Sequence, residues 1–517
     1  MGIRVSPEDF DADPRLAPVR WEPCPGRGVV RRARLLVVVN LALAIWYFGW
    51  LVRPERIGSP ALFALLVLAE MFNMVHALGF WWTVSHDRPS EPPERGGDPS
   101  VYVDVLIPVY NEPLDIVELT IAAATKLPGA KVRVSVLDDG RRKALAALAV
   151  RYGAAYVRRG VNTGAKAGNL NHALARTRAP FVLVLDCDHM PGPSLFPVML
   201  PYFHDPGVGF VQAPQYYANA HSSAVARAAW AQQALFFGPI ARGKGRMGAM
   251  FCCGTNVIFR RSALDEVGGF PEDSITEDFE LSVALHERGW RSVYVSEVVA
   301  RGLGPEDMAS YVSQQRRWAR GCLSTLPRVV RARLPWKLRA QYLLSATYFL
   351  SGWTVLVYMT LPVVRILTGA QPLAGASADQ FLLHFAPYFS AALLMVATAG
   401  AGSYTYSAFC LAVASFWIHV CASLSMLRRG SARFVVTPKR GGDRRQPRAV
   451  GPALFVMALL GVAVVVGLLH AWTPATLNNV SFAALHLLVL GNGVTPALRK
   501  PVRVTTRARA SAEREAA

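Results

Sequence analysis

The sequence predicts an α/β domain inserted between two groups of transmembrane α-helices. Three observations predict it. Hydrophobic residues fill 52% of the 517 positions and charged residues only 17%, a balance typical of a membrane protein with a soluble part. Apolar runs long enough to span a bilayer stand at both ends of the chain, and residues 85–335 contain none. Within that middle region, short continuous apolar stretches alternate with helical ones, the pattern of a sheet covered on both faces.

The apolar runs come first. A spanning helix needs about 20 apolar residues at about 1.5 Å each. The candidates are 35–52, 61–84, 342–367, 381–398, 404–427, 452–472 and 482–498. The first is no cleavable signal, because it starts far into the chain and no small-residue cleavage site precedes Arg53. Basic clusters flank the runs: Arg27 to Arg34, Arg328 to Arg339, Arg428 to Arg448, and residues 499–509. If all of them are cytoplasmic, each interval between clusters holds an even number of crossings. The interval 340–427 holds three apolar runs. One of these is therefore expected not to cross, and 404–427 is assigned to the interface. The expectation is six crossings with both termini and the soluble domain cytoplasmic, in the plasma or inner membrane; seven crossings is the alternative.

The net charge of +20 does not call for a nucleic-acid partner, since the arginines sit beside apolar runs. The cysteines, at 24, 187, 252, 253, 322, 410 and 421, form no CxxC pair. Neither a zinc knuckle nor a disulfide framework is indicated.

The soluble region opens with a strand at 102–108, followed by Asn111, Glu112 and Pro113. A helix at 114–126 leads to a second strand, 131–137, which ends in Asp138 and Asp139. A short strand near 155–157 and an apolar run at 180–185 follow, the latter ending in Asp186-Cys187-Asp188. Ligands of such sheets bind beyond the carboxyl ends of the strands. Two strands ending in acidic pairs at that edge have no role in the core. In an extended segment Asp186 and Asp188 point the same way. They form a hard-oxygen site suited to Mg²⁺ or Mn²⁺ shared with phosphate. The stretch 162–171, NTGAKAGNLN, brings two glycines and Lys166; it reads either as a diphosphate contact or as a plain loop, and it is no P-loop. Further on, Thr276, Glu277 and Asp278 open a helix at 279–288. They either cap it or supply a general base.

The stretch 311–321, YVSQQRRWARG, places Gln314, Arg317 and Trp318 at i, i+3 and i+4, on one helix face. Arginine offers a fork of donors to phosphate, and an indole stacks on the apolar side of a sugar. One face can thus hold a departing diphosphate and an acceptor sugar.

The order Asp138-Asp139, Asp186-x-Asp188, Thr276-Glu277-Asp278, Gln314-x-x-Arg317-Trp318 resembles the signature of processive family 2 glycosyltransferases, and most of all that of bacterial cellulose synthase catalytic subunits. Asn111-Glu112-Pro113, Lys166-Ala167-Gly168-Asn169, Phe251-x-Cys253-Gly254-Thr255 and Phe434-x-Val436-Thr437-x-Lys439 add to the likeness, which covers about 35–500. It implies a GT-A-like, Rossmann-like cytosolic domain with a parallel or mixed sheet. The implied boundaries are a disordered cytosolic segment 1–34, two spans in 35–84, the GT-A domain with interfacial helices in 85–340, and two spans in 341–400. An interfacial helix and gating loop in 401–450, two spans in 451–498 and a disordered basic tail 499–517 complete the chain.

The resemblance also implies roles. Asp138 or Asp139 contacts the nucleotide. Lys166, Asp186 and Asp188 hold the diphosphate, the two aspartates with Mg²⁺ or Mn²⁺. Asp278 deprotonates the acceptor hydroxyl. Cys253, Gly254, Thr255 and Glu277 border the acceptor, whose terminus Trp318 holds. Gln314 and Arg317 bind the diphosphate, and Thr437 and Lys439 close over the nucleotide. The implied reaction is inverting transfer from a nucleotide sugar, UDP-glucose foremost, to a growing β-linked polysaccharide that leaves through the bilayer, with an accessory export subunit as partner. A β-1,3-glucan, chitin-like or mannan synthase, or a non-processive lipid glycosyltransferase, is the alternative. A transporter would leave the acidic-ended strands unexplained. No PilZ domain is expected in this chain, because Arg440-x-x-x-Arg444 lacks the accompanying DxSxxG.

Overall fold

The computed structural model describes residues 27–88, 93–94, 96, 98–426, 445–470 and 472–499. Thr437, Lys439 and Arg440 to Arg444, and the ends expected to be disordered at 1–26 and 500–517, lie outside the described residues.

Among the described residues, ten strands form two sheets. They are β1 (Tyr102–Val109), β2 (Lys131–Asp138), β3 (Ala155–Val157), β4 (Phe181–Val184), β5 (Met190–Pro191), β6 (Val208–Gln212), β7 (Tyr216–Tyr217), β8 (Val257–Arg260), β9 (Arg291–Tyr294) and β10 (Ala300–Gly302). The large sheet runs β3-β2-β1-β4-β8-β6-β9 and the small one β5-β10-β7. Parallel pairing joins β3 to β2, β2 to β1 and β1 to β4. β8, however, runs antiparallel to both β4 and β6, so the sheet is mixed.

Alternation along the strands supplies both faces. Val103, Val105, Ile107, Val134, Val136 and Leu183 pack on one side. Leu106, Leu137, Val182 and Val184 pack on the other, against Leu170 and Ala173 of the helix Ala165–Leu174. That helix takes in residues 165–171, so seven of the ten positions of the glycine-containing stretch are helical rather than loop.

Among the described residues, seven helical stretches are long and apolar enough to cross a membrane: Val30–Leu51, Pro60–Ser85, Trp336–Thr368, Ala378–Ala399, Tyr406–Met426, Pro447–His470 and Pro474–Leu498. Several boundaries correct the sequence reading. The first helix starts at Arg27, so residues 27–34, expected to be disordered, form its opening turns. Arginine is a good helix former and does not end the run. The last helix starts at Pro474 rather than near 482, because Thr473 caps it by accepting from the Thr476 N–H and proline suits the first helical position. The third stretch begins at Trp336 and passes through a 3₁₀ turn, Tyr348–Leu350. The fifth is broken at Ser415 into Tyr406–Ala414 and Phe416–Met426, of 9 and 11 residues. Taken singly these measure about 14 and 17 Å, well short of a bilayer core of about 30 Å.

The domain and the helices share a core. Tyr217, Trp230, Met308 and Tyr311 cluster with Leu411, Val450, Leu490 and Val494. A buried ion pair, Arg242 Nε to Asp87 Oδ1 at 2.6 Å, ties the end of the second apolar helix to the domain. Beside it, Lys244 donates to Gln341 Oε1 and Ser345 Oγ. Burial pushes the Lys244 amine down to about 7.

Candidate active site

β2 delivers Asp138 and Asp139 to the carboxyl edge of the sheet. Asp138 is fully buried. Its oxygens accept from the backbone N–H groups of Gly140 and Arg142, at 2.8 and 2.7 Å, and from the Tyr156 hydroxyl. Asp139 takes the fork of Arg159, with Nε to Oδ1 and Nη2 to Oδ2 both 2.7 Å. The structure thus engages the first acidic pair with the turns around it.

β4 ends at Val184, two residues before Asp186. The segment is not extended there, as the sequence reading assumed. A turn closes instead, with the His189 N–H donating to the Asp186 carbonyl at 2.9 Å. The turn converges Asp186, Asp188 and His189, whose ligand atoms lie within 4.8 Å of one another. His189 was not read from the sequence, although its place directly after the acidic pair was the signal. It is buried, and its Nε2 has no hydrogen-bond partner among the described residues. A side chain at Gly302 would run into the imidazole, so the ring is wedged in place. Two carboxylates and an imidazole fit a divalent cation, Mg²⁺ or Mn²⁺.

Lys166 stands at the start of Ala165–Leu174. Its Nζ donates to Asp186 Oδ1 at 2.6 Å and to the Gly254 carbonyl at 2.8 Å. Burial disfavours the ammonium, yet Asp186, Glu277 and Asp278 more than offset this and hold it protonated above the ordinary lysine range.

The loop before β8 brings the next group. Thr255 Oγ1 accepts from the Asp186 N–H at 2.9 Å. The Cys253 N–H donates to Gln212 Oε1 at 2.8 Å. Gly254 has φ +80°, and a Cβ there would lie 2.9 Å from Asp278 Oδ2 and 3.5 Å from Lys166 Nζ. Glycine is thus needed for its conformation and for the close approach of the Asp278 carboxylate.

Thr276 makes no side-chain cap to the helix Glu277–Glu287, and its Oγ1 has no partner among the described residues. One Asp278 oxygen accepts from the Phe279 N–H at 2.8 Å. Burial first, and then the Glu277 carboxylate, push the Asp278 carboxyl up to about 7, against the pull of Lys166 and Arg317. A carboxyl tuned to that range can exchange a proton near neutrality. Glu277 also faces a cleft shared with Gly164, Lys166, Glu272 and Ser274.

The helix Met308–Ser324 carries Gln314, Arg317 and Trp318, and Asp307 caps it by accepting from the Ser310 N–H. It packs onto Thr276 at Gly321, where any side chain would overlap the threonine. Arg317 is thereby within electrostatic reach of Asp278. Gln314 Nε2 approaches the Tyr217 hydroxyl at 3.5 Å. Trp318 is half-buried beside Ala319, Leu323, Phe349 and Ala422.

Residues 181–419 match the family described as Glycosyl transferase family group 2. Cellulose synthase 2 of Novacetimonas hansenii is 30% identical over 86% of this chain and 29% of its own length. The chain carries a family 2 glycosyltransferase domain. The UDP-forming cellulose synthase catalytic subunit of Xanthomonas axonopodis pv. citri is 34% identical over 56% of this chain and 41% of its own length. The UDP-forming cellulose synthase 1 catalytic subunit of Komagataeibacter xylinus is 29% identical over 86% and 62%. The chain therefore spans between 29% and 62% of the length of these three curated relatives. Among solved structures, the mannosyltransferase PcManGT from Pyrobaculum calidifontis in complex with GDP-Man and Mn²⁺ superposes with a TM-score of 0.51 at 17% identity, over 71% of this chain and 99% of that one. The likeness is one of fold, GT-A-like with a mixed sheet.

Proposed function

We propose that this chain is a membrane-embedded, processive, inverting glycosyltransferase. It polymerises a sugar from a nucleotide donor, UDP-glucose, into a β-linked polysaccharide of the cellulose kind and passes it across the bilayer. The observation that carries the reading is the meeting of Asp278, Lys166 and Asp186 around Gly254. A proton acceptor and an anion-binding ammonium stand next to one another, with no side chain between them.

The nucleotide enters at the carboxyl edge of the sheet, where Asp138 and Asp139 organise the turns. Asp186, Asp188 and His189 would hold Mg²⁺ or Mn²⁺, which supplies positive charge to the diphosphate. Lys166 and Arg317 face the same negative charge as it grows on the leaving group. Asp278 takes the proton of the acceptor hydroxyl while that oxygen attacks the anomeric carbon from the face opposite the diphosphate. Cys253, Gly254, Thr255 and Glu277 border the acceptor, whose terminus Trp318 holds, and Gln314 joins Arg317 at the diphosphate. The basic clusters flanking the apolar runs support a domain that faces the cytoplasm.

The test supplies membrane-embedded protein with radiolabelled sugar nucleotides one at a time and digests the product with linkage-specific hydrolases. The expected result is polymer from UDP-glucose, cleaved by a β-1,4-glucanase. Asp278→Asn is expected to lower synthesis by about 10²–10⁴-fold, the usual worth of a positioned base, with donor binding intact. Single-sugar transfer to lipid, with no polymer from any donor, would sink the processive reading.

A further inference from the structure

Arg159 is absent from every motif above, yet it is among the most heavily engaged side chains near the site. Its guanidinium is buried, with 7% of the side chain exposed, against an Asp139 side chain exposed by 8%. Besides the fork to Asp139, Nη1 donates to the Thr163 carbonyl and Nη2 to the Ala165 carbonyl, the latter at 2.7 Å. These two carbonyls bracket a strained turn. Gly164 has φ +69° and Ala165 φ +44°, and alanine adopts that region only when its surroundings impose it. The next residue is Lys166. Two residues later Gly168 leaves the guanidinium room, since a Cβ there would lie 2.5 Å from Arg159 Nη1.

We propose that Arg159, locked by Asp139, is a positioning residue for donor binding. It holds the 163–165 turn in its left-handed conformation and so aims Lys166 between Asp186 and the Gly254 carbonyl. Asp139 then acts on the nucleotide through Arg159 and Lys166 rather than by touching it. Arginine is required because only its planar fork serves a carboxylate and two carbonyls at once. The inference rests on the nucleotide-sugar reading of the site.

The test measures donor affinity calorimetrically on the full chain in lipid nanodiscs, with Mn²⁺ and the nucleotide sugar that supports synthesis. Arg159→Lys keeps the charge and loses the fork; the expected loss of affinity is about tenfold or more, with an unchanged thermal unfolding transition. Lys166→Met is expected to weaken binding as well, and adding Arg159→Lys to it to cost nothing further, because the two act through one ammonium. Losses that add in the double variant, or undiminished affinity in Arg159→Lys, overturn the proposal. If Arg159→Lys does not fold, Asp139→Asn serves in its place under the same two criteria. A wild-type chain that binds no nucleotide sugar overturns the function reading and this inference together, an outcome distinct from normal wild-type binding with an indifferent Arg159.

Discussion

At the scale of single residues, the chemistry turns on how burial and neighbouring charge set one carboxyl group. Asp278 is held near 7 by burial and by Glu277. A base must be ionised to act, so synthesis is expected to rise as pH increases through about 7 and then level. Glu277→Gln removes the adjacent negative charge and favours ionised Asp278. Its pH–rate curve should therefore move to lower pH, read from initial rates between pH 5.5 and 8.5; a shift to higher pH would contradict the assignment. His189→Ala is expected to weaken Mn²⁺ binding by about 10- to 100-fold, at least the cost of losing an outer-shell partner, measured by titration of chelated protein. The acidic residues were legible because carboxylates at strand ends have no role in a core. His189 was overlooked, although it follows the pair directly, because the turn that aims it at Asp186 and Asp188 is a backbone event. Arg159 carried no signal at all, since its partners are brought together only by the fold.

At the scale of elements, glycines set how closely the helices and loops approach. Gly321 lets Met308–Ser324 touch Thr276. Gly321→Val pushes the helix off that contact and carries Arg317 with it. The expected result is a loss of synthesis of about 100-fold, the order that an ångström of misplacement costs, in protein that still folds and inserts. Gly461→Ala, which meets nothing within 4 Å, is the control and should be silent in the same assay. The order of strands and helices was readable from hydrophobic periodicity. The reversed direction of β8 was not, because a short apolar run carries no mark of its polarity. The break at Ser415 was equally hidden, as the run 404–427 is apolar on both sides of it.

At the scale of the whole molecule, the α/β domain and the apolar helices are not separable bodies. Tyr311 and Trp230 bury themselves among residues of the helices Tyr406–Ala414, Gly451–His470 and Pro474–Leu498. Residues 98–334 expressed alone would expose that surface to water, so size-exclusion chromatography is expected to find aggregates rather than a monodisperse domain. The sequence divided the chain into domain and membrane parts, and that division concealed the common core, which belongs to neither. Met308–Ser324 leans on Thr276 at Gly321 and, through Ala319 and Leu323, on Ala422 of Phe416–Met426. No loop lies between these contacts to absorb movement. A change in lateral pressure on Phe416–Met426 is thus expected to reach Asp278 through a few side chains, and initial rates in vesicles of differing acyl-chain length would read it.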